Sequence, residues 1–436
     1  MAVWVTTRRD WQLFGNHNSL PAEAADFTGK RFPCANREDP AIRVDISAPP
    51  SKSWEAGRPP PRAARLAMIV LYILLCASRA SAALPLPIAS SRSIAPRRAQ
   101  AATGAMARVL GISAGSFHSC TLLTSGESIC SGRGDSGQLG SDASDNIGDD
   151  SLRPTASGIV KLPPGAKAVT ISAGWEHTCA VLDDGRALCF GSGSLLGSDA
   201  SAKIGDSSSR PTASGIVKLP PGARAVTISA GLSHTCAVLD DGRALCFGIG
   251  ADGQLGSDAA ASIGNGPTRP TANGIVKLPT SDFTLAAFAA CTSTCSISAS
   301  ATVACWGSNA NGQLGSGSPG NIGDDETASS GTAVALPGAA DAVALFTGPA
   351  HTCALLQGGQ LSCWGVAAEG RLGYGDVTTA PGLSSTPADV GGLAVRSGQT
   401  PIALALGEGH TCALYAADAA CRSRSVVCWG RNAAGQ

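Results

Sequence analysis

The sequence predicts an all-β fold, a β-propeller of four-stranded blades, on three observations. A cysteine-bracketed hairpin recurs six times at intervals of about 58 residues, which is the signature of a stacked or radial repeat array. Runs of five or six residues with strand character alternate with Gly, Pro and Asp punctuation. The 436-residue chain holds 54 Gly and 26 Pro but only 4% aromatics, which suits short strands and tight turns better than long helices.

The second copy displays the unit most fully. Gly158-Ile159-Val160-Lys161-Leu162 reads as a short strand, and Pro163-Pro164-Gly165 turns the chain. Ala168 to Ser172 is a second strand, ended by Ala173-Gly174. His177 to Leu182 is a third and Arg186 to Gly191 a fourth. Four such strands make one propeller blade.

Turn chemistry registers the last hairpin. In Asp183-Asp184-Gly185, the glycine supplies the left-handed residue of a type I turn with a G1 bulge. Closing the loop at Leu182 and Arg186 sets Val181 opposite Ala187, Ala180 opposite Leu188, and Cys179 opposite Cys189. Directly opposed residues of a non-hydrogen-bonded pair have Cα atoms about 4.5 Å apart, which a disulfide tolerates. The same ten-residue step recurs in Cys120–Cys130, Cys236–Cys246, Cys295–Cys305 and Cys353–Cys363. In the sixth copy, Cys412 and Cys428 are the expected partners, around an insertion carrying Cys421. Cys34, Cys76, Cys291 and Cys421 remain without a role. Reduced core cysteines are the alternative to disulfides. A metal reading, prompted by the recurring His-x-Cys at His118, His177, His234, His351 and His410, fails because each repeat offers one His and two already opposed Cys.

Ahead of the repeats the chain changes character three times. Residues 1–65 lack a strand or helix period and read as a disordered or mistranslated leader, with a small folded domain as the alternative. Residues 66–82 look like a secretory signal: the uncharged run Leu66 to Ser78 follows Arg62 and Arg65 and precedes a small-residue site at Ala80-Ser81-Ala82. The run is short for a bilayer span, so a retained anchor or a buried segment are the weaker readings, and Met68 is an alternative initiator. Residues 83–104, rich in Ala, Ser, Pro and Arg, read as a linker, and 105–436 as the propeller.

Charge narrows the partner. With 32 basic and 32 acidic residues the chain has no global footprint for nucleic acid or an anionic membrane; membrane contact would need residues 66–78 to be kept as an anchor. The recurring histidines are spread around a ring, so they read as strand-end hydrogen-bonding groups rather than catalytic bases. Acidic loop residues Asp142, Asp145, Asp149, Asp150, Asp199, Asp206, Asp324 and Asp325, with Asn146, could offer oxygens to calcium, but solvated turns explain them better. Trp175 and Trp306 read as blade-packing residues. No catalytic, cofactor-binding or metal-ligating residue is expected.

His-Thr-Cys-Ala-Leu, a Gly-bearing turn, Cys-Trp-Gly and then Asn-x-x-Gly-Gln-Leu-Gly resembles the repeat of the regulator-of-chromosome-condensation family, whose relatives include propeller-type β-lactamase inhibitor proteins. Cys305-Trp306-Gly307-Ser308-Asn309-Ala310-Asn311-Gly312-Gln313-Leu314-Gly315 matches best, with partial matches at Gly137 to Gly140, Gly253 to Gly256 and Gly370 to Gly373. The resemblance covers about residues 105–436 and implies a propeller, usually of seven blades, with loops that dock partners. Six repeats are recognisable, so the chain is expected to be truncated from a seven-bladed ring, its end falling inside the motif at Gly435-Gln436. The fourth copy departs from the pattern, with Ser293 for the His and Ala301 for the turn Gly, and its hairpin is expected to turn differently. The expected function is a non-enzymatic secreted or cell-surface scaffold that docks a protein or carbohydrate partner, a secreted enzyme to be inhibited being one case. The alternative is guanine-nucleotide exchange on a small GTPase, the activity the resemblance implies, which paired cysteines and a signal-like segment oppose.

Overall fold

The computed structural model describes residues 108–149, 157–199, 201–207, 212–257, 261–264, 271–278, 283–324, 333–375, 380–393, 399–416 and 424–432. The leader, the signal-like segment, the linker, Asp150, Asp325, Cys34, Cys76 and Cys421 lie outside them.

Six antiparallel sheets follow one another along the chain, each with its strands in sequence order. Blade 1 comprises β1 (Val109–Ala114), β2 (His118–Leu123) and β3 (Ser128–Gly132); blade 2 comprises β4 (Ala168–Ala173), β5 (His177–Leu182) and β6 (Ala187–Gly191). Blade 3 holds β7 (Ala225–Ala230), β8 (His234–Leu239) and β9 (Ala244–Gly248), and blade 4 holds β10 (Thr284–Ala289), β11 (Ser293–Ser298) and β12 (Val303–Gly307). Blade 5 is β13 (Ala342–Thr347), β14 (His351–Leu356) and β15 (Leu361–Gly365); blade 6 is β16 (Pro401–Leu406), β17 (His410–Tyr415) and β18 (Ser425–Gly430).

The blades are three-stranded, not four-stranded. Gly158 to Leu162 does not open its own repeat. It crosses to the outer edge of the preceding blade, where Ile159 bridges Ile129 and the backbone bonds run from Cys130 N to Gly158 O (2.7 Å) and from Val160 N to Ser128 O (2.9 Å). The ladder stops there because Lys161 N donates to Gly140 O at 2.8 Å and prolines follow at once, with no N–H to offer. Ile216 and Ile275 make the same single bridge to Leu188 and Leu245.

Inner strands of successive blades are joined by a repeated side-chain bond. Ala173 N donates to Ser113 Oγ (2.8 Å), Ala230 N to Ser172 Oγ (2.9 Å) and Ala289 N to Ser229 Oγ (3.1 Å). The middle and outer strands of blades 2 to 4 are buried throughout. The core lies between blades. Phe190, Phe247, Trp306 and Trp364, each opposite the Thr that follows the repeated His or Ser, are fully buried. Trp306 therefore packs as expected. Trp175 does not: it is 40% exposed in the β4–β5 connection.

In every blade the register between inner and middle strand slips by one residue near the start, at Leu110, Val169, Val226, Leu285, Val343 and Ile402. Such a bulge bends the strand and re-aims the extra side chain.

The hairpin of blade 4 corrects a second expectation. Ser298 N donates to Thr302 O (3.0 Å) and Ala301 N to Ser298 O (2.9 Å), the same pattern as Leu182 N to Arg186 O (2.8 Å) and Gly185 N to Leu182 O (2.9 Å). Ala301 takes φ +61° to do so. Strand pairing and the cysteine bridge at Cys295–Cys305 fix the ends of the turn, and the alanine bears the left-handed conformation.

Candidate functional site: the cavity mouth and the blade seams

The turn geometry brings each cysteine pair into register. Cys179 faces Cys189, and Cys189 N donates outward to Gly215 O (2.8 Å) instead of to its partner, so the pair is of the non-hydrogen-bonded kind that closes the distance between facing side chains. All six pairs are bridged: Cys120–Cys130, Cys179–Cys189, Cys236–Cys246, Cys295–Cys305, Cys353–Cys363 and Cys412–Cys428, with Cα separations of 4.0–4.2 Å. Their residues are 0–4% exposed apart from Cys428, so the sulfurs belong to the core.

The recurring histidines sit one per seam and reach forward one blade. His118 Nε2 lies 2.6 Å from Thr178 Oγ1, His177 Nε2 2.9 Å from Thr235 Oγ1, His234 Nε2 2.8 Å from Thr294 Oγ1, and His351 Nε2 2.7 Å from Thr411 Oγ1. Thr178, Thr294 and Thr411 each spend their one hydroxyl proton on a carbonyl, those of Gln138 (2.8 Å), Gln254 (2.9 Å) and Arg371 (3.0 Å). The imidazole must therefore be the donor, with the proton on Nε2 and a bare Nδ1. Burial holds these rings neutral, lowering the pKa to about 4 for His118 and to about 3 for His177, His234 and His351. They are structural latches, and their Nδ1 atoms have no hydrogen-bond partner.

The Gly-Gln-Leu-Gly motif is the other half of the latch. The Gln254 carbonyl also accepts from Trp306 Nε1 (3.0 Å), that of Gln313 from Trp364 Nε1 (2.9 Å) and that of Arg371 from Trp429 Nε1 (3.0 Å). The Gln side chain meanwhile closes its own loop, Gln138 Oε1 accepting from Ser136 N at 2.8 Å. Where Ser293 replaces the histidine, the next Thr–carbonyl bond, Thr352 to Gln313, relaxes to 3.4 Å.

The acidic loops are clamps as well. Asp142 Oδ1 accepts from Thr212 N (2.6 Å) and Oγ1 (2.7 Å), and Asp199 Oδ1 accepts from Thr271 N (2.7 Å) and Oγ1 (2.8 Å), each reaching about one repeat onward. Asn146 Oδ1 accepts from Gly134 N (3.1 Å), and Asp324 accepts from Asn321 Nδ2 (3.1 Å). Among the described residues no group of three or more His, Cys, Asp or Glu could hold a metal ion.

One end of the ring opens as a mouth. The C-terminal ends of the inner strands and the connections after them enclose a cavity of about 1240 Å³. Ser116, Trp175, Leu232, Cys291 and Pro349 line it from equivalent positions of blades 1 to 5, and Gly407 and His410 line it from blade 6. Phe117 is 48% exposed beside it, with the Arg133 guanidinium 5.4 Å from its ring centroid and 3.7 Å from the Glu176 carboxylate. Cys291 carries a free thiol; burial and then the Glu408 carboxylate push its pKa up, which makes it a poor nucleophile. The mouth thus presents exposed aromatic and Arg groups around a concave apolar surface, and among the described residues that line it there is no nucleophile–base pair.

This repeat geometry coincides with a family signature. The model of the "Regulator of chromosome condensation (RCC1) repeat" matches residues 109–138, 168–195 and 225–254, one stretch in each of blades 1 to 3. Those three stretches carry repeats of that type. The chain is 32% identical over 152 residues to the Regulator of chromosome condensation of Drosophila melanogaster, covering 35% of this chain and 26% of that one. It is 34% identical over 152 residues to the Ultraviolet-B receptor UVR8 of Arabidopsis thaliana, covering 34% and 31% respectively. The match thus spans roughly a quarter to a third of those relatives. Human WBSCR16 (TM-score 0.56, 16% identity, 76% of this chain and 78% of that one) and yeast RCC1 (Prp20) bound to Kap60 (0.55, 18%, 74% and 70%) share the fold.

The Thr partners and the Gln carbonyls were not singled out from sequence. The signal was present in the co-occurrence of His-Thr-Cys in one repeat with Gly-Gln-Leu-Gly in the one before.

Proposed function

We propose that the protein is a non-enzymatic scaffold of an oxidising, extracytosolic compartment that docks a protein partner at the cavity mouth. The observation that carries this reading is the set of six hairpin disulfides set into the blade core. Structural bridges in such numbers persist outside the reducing cytosol. They lock each blade, so that the mouth residues Phe117, Trp175 and Leu232 ride on a rigid frame while neighbouring loops vary. Large aromatic side chains with an adjacent Arg are the residue types that anchor protein–protein contacts. Among the described residues no helix is long and apolar enough to cross a membrane.

The second reading is exchange-factor activity on a small GTPase. It rests on the regulator-of-chromosome-condensation repeat type itself and on the yeast Prp20p structure, whose description names binding to Gsp1p and histones. It requires a reducing compartment, where the twelve bridge cysteines would be thiols. Thiol titration of unreduced protein in denaturant, purified from its native compartment, separates the two. The scaffold reading expects the twelve bridge cysteines to be unreactive until reductant is added, and their reaction without it would overturn that reading.

A further inference from the structure

Five of the six bridges are enclosed by their blades, and the sixth is not. The cysteines of the first five are 0–4% exposed, whereas Cys428 lies exposed on β18 with its partner Cys412 buried behind it. The span differs too. Cys412 and Cys428 are 16 residues apart, against 10 in each of the other pairs, with residues 416–424 between the strands, so no three-residue turn registers this pair. The seam in front of blade 6 is also uncovered. In blades 1 to 3 a threonine of the next blade stands over the bridge, with Cys120, Cys179 and Cys236 Sγ at 4.0, 3.7 and 3.7 Å from Thr178, Thr235 and Thr294 Oγ1. Among the described residues no hydroxyl takes that place over Cys412. His410, whose four latched counterparts are buried, is half-buried and has no hydrogen-bond partner. The outer edge is bare as well: Ile159, Ile216, Ile275 and Leu393 bridge the outer strands of blades 1, 2, 3 and 5, and no described residue bridges β18.

Thiol–disulfide exchange proceeds by attack of a thiolate on a disulfide sulfur, so access decides which of several bridges reacts. We infer that Cys412–Cys428 is a thiol-reducible bridge and that its opening releases β18. The co-reactant is a dithiol. Its first thiolate attacks Cys428 Sγ, the bond to Cys412 breaks, and the electron pair leaves on Cys412 Sγ, which takes a proton from solvent. The second thiolate then attacks the mixed disulfide and leaves Cys428 as a thiol. The dithiol ends as a cyclic disulfide, so two electrons pass from it to the cysteine pair. The release reaches the neighbouring seam. Thr411 and Trp429 face each other beside the bridge, and both donate to the Arg371 carbonyl that follows blade 5, at 3.0 Å each. With the bridge open, β18 is an edge strand paired with β17 alone. The inference rests on the bridges being formed, as the scaffold reading requires, and adds that one of them answers to the redox state of the surroundings.

The test is timed reduction of the native full chain by dithiothreitol, without denaturant. Thiols already free are blocked with iodoacetamide, and those that the reductant frees are labelled with N-ethylmaleimide and located by peptide mapping. Cys412 and Cys428 should be labelled at least about 10-fold faster than the other ten bridge cysteines, whose reduction waits on the opening of their blades. Amide hydrogen exchange should then rise in β18 and stay unchanged in β6 and β9. Cys412→Ser with Cys428→Ser should show the same raised exchange without reductant, while the other five bridges map intact. Six bridges opening at one common rate overturn the proposal, as does exchange in β18 that ignores both reduction and the double substitution. A parallel sample in denaturant separates the two readings. All twelve cysteines reacting there before reductant is added would overturn the scaffold reading and this inference with it, whereas six intact bridges of equal resistance overturn this inference alone.

Discussion

His118 Nε2 lies 2.6 Å from the hydroxyl of Thr178 in the next blade, and that hydroxyl lies 2.8 Å from the Gln138 carbonyl behind it. One threonine thus ties together the middle strand of its predecessor and the loop that follows it. The bond recurs at four seams, which makes the His-Thr pair of the repeat an inter-blade device and not a property of one blade.

Removing the hydroxyl tests the latch with little change in volume. Thr178→Val leaves a buried imidazole N–H and a carbonyl without partners, and each orphan costs about 1–3 kcal/mol. Thr178→Ser should recover most of the loss. Urea unfolding of the non-reduced protein measures both. Equal stability of the valine and wild-type forms would reduce the latch to coincidence of position.

The same four histidines make the fold acid-labile. Their folded pKa values, about 4 for His118 and about 3 for the others, lie below the unfolded value of 6.5. Between those limits the unfolded chain binds protons that the folded one refuses, so stability falls as pH drops from about 6.5 toward 4. The cause is burial with no acceptor for a proton on Nδ1. The effect is on the order of 3 kcal/mol for His118 alone. Melting temperature should fall as pH drops through this window, and His234→Gln should make the fall shallower by roughly a quarter, one of four contributing groups being removed. A level profile between pH 6.5 and 4.5 would contradict the neutral-latch assignment.

Much of this architecture could be read from the residues, for identifiable reasons. Asp183-Asp184-Gly185 fixes a turn, the turn fixes a register, and the register sets Cys179 opposite Cys189: each step is local. Two differences arise where a contact reaches well along the chain. Gly158 to Leu162 has strand composition, but Lys161 N is claimed by Gly140 across the seam, so the segment makes one bridge instead of a fourth strand. Asp142 looked like a solvated turn residue because Thr212 is 70 residues away. Trp175 and Trp306 are the same residue type; only their position, a connection at the mouth against a strand between blades, separates an exposed ring from a buried one.

Ala301 is a site at which the molecule can be improved. It holds φ +61° where Gly185 holds +83° in the equivalent turn. Ala301→Gly should stabilise the protein by about 1 kcal/mol by relieving a left-handed alanine, less the entropy that glycine adds to the unfolded chain. The reverse change, Gly185→Ala, should cost more than that, since a Cβ there would stand 2.7 Å from Arg224 Cβ as well as in a strained backbone. Paired thermal melts decide the sign of each.

The bridges constrain short loops. Cys179 and Cys189 are 10 residues apart, a separation for which chain entropy gives about 3 kcal/mol per bridge. Cys179→Ala with Cys189→Ala should therefore lower stability by about that amount while leaving the other five blades paired. Non-reducing peptide mapping together with denaturant titration reads both quantities. A loss confined to the mutated blade is the expected pattern, and scrambled pairing in the remaining blades would mean that the turn does not set the register.

The acidic loops make an opposite prediction for metal removal. Asp142 Oδ1 already accepts from both Thr212 N and its hydroxyl at 2.6 and 2.7 Å, so one of its two carboxylate oxygens is occupied by protein donors. Chelation by EDTA should leave the melting temperature unchanged. Asp142→Ala, in contrast, strips two donors of their acceptor and should cost about 1–3 kcal/mol, because hydrogen bonds to a charged group are worth more than neutral ones. Asp142→Asn keeps the geometry and should fall between the two. If EDTA lowers the midpoint in wild type but not in the alanine variant, the carboxylate serves a cation and the clamp is secondary.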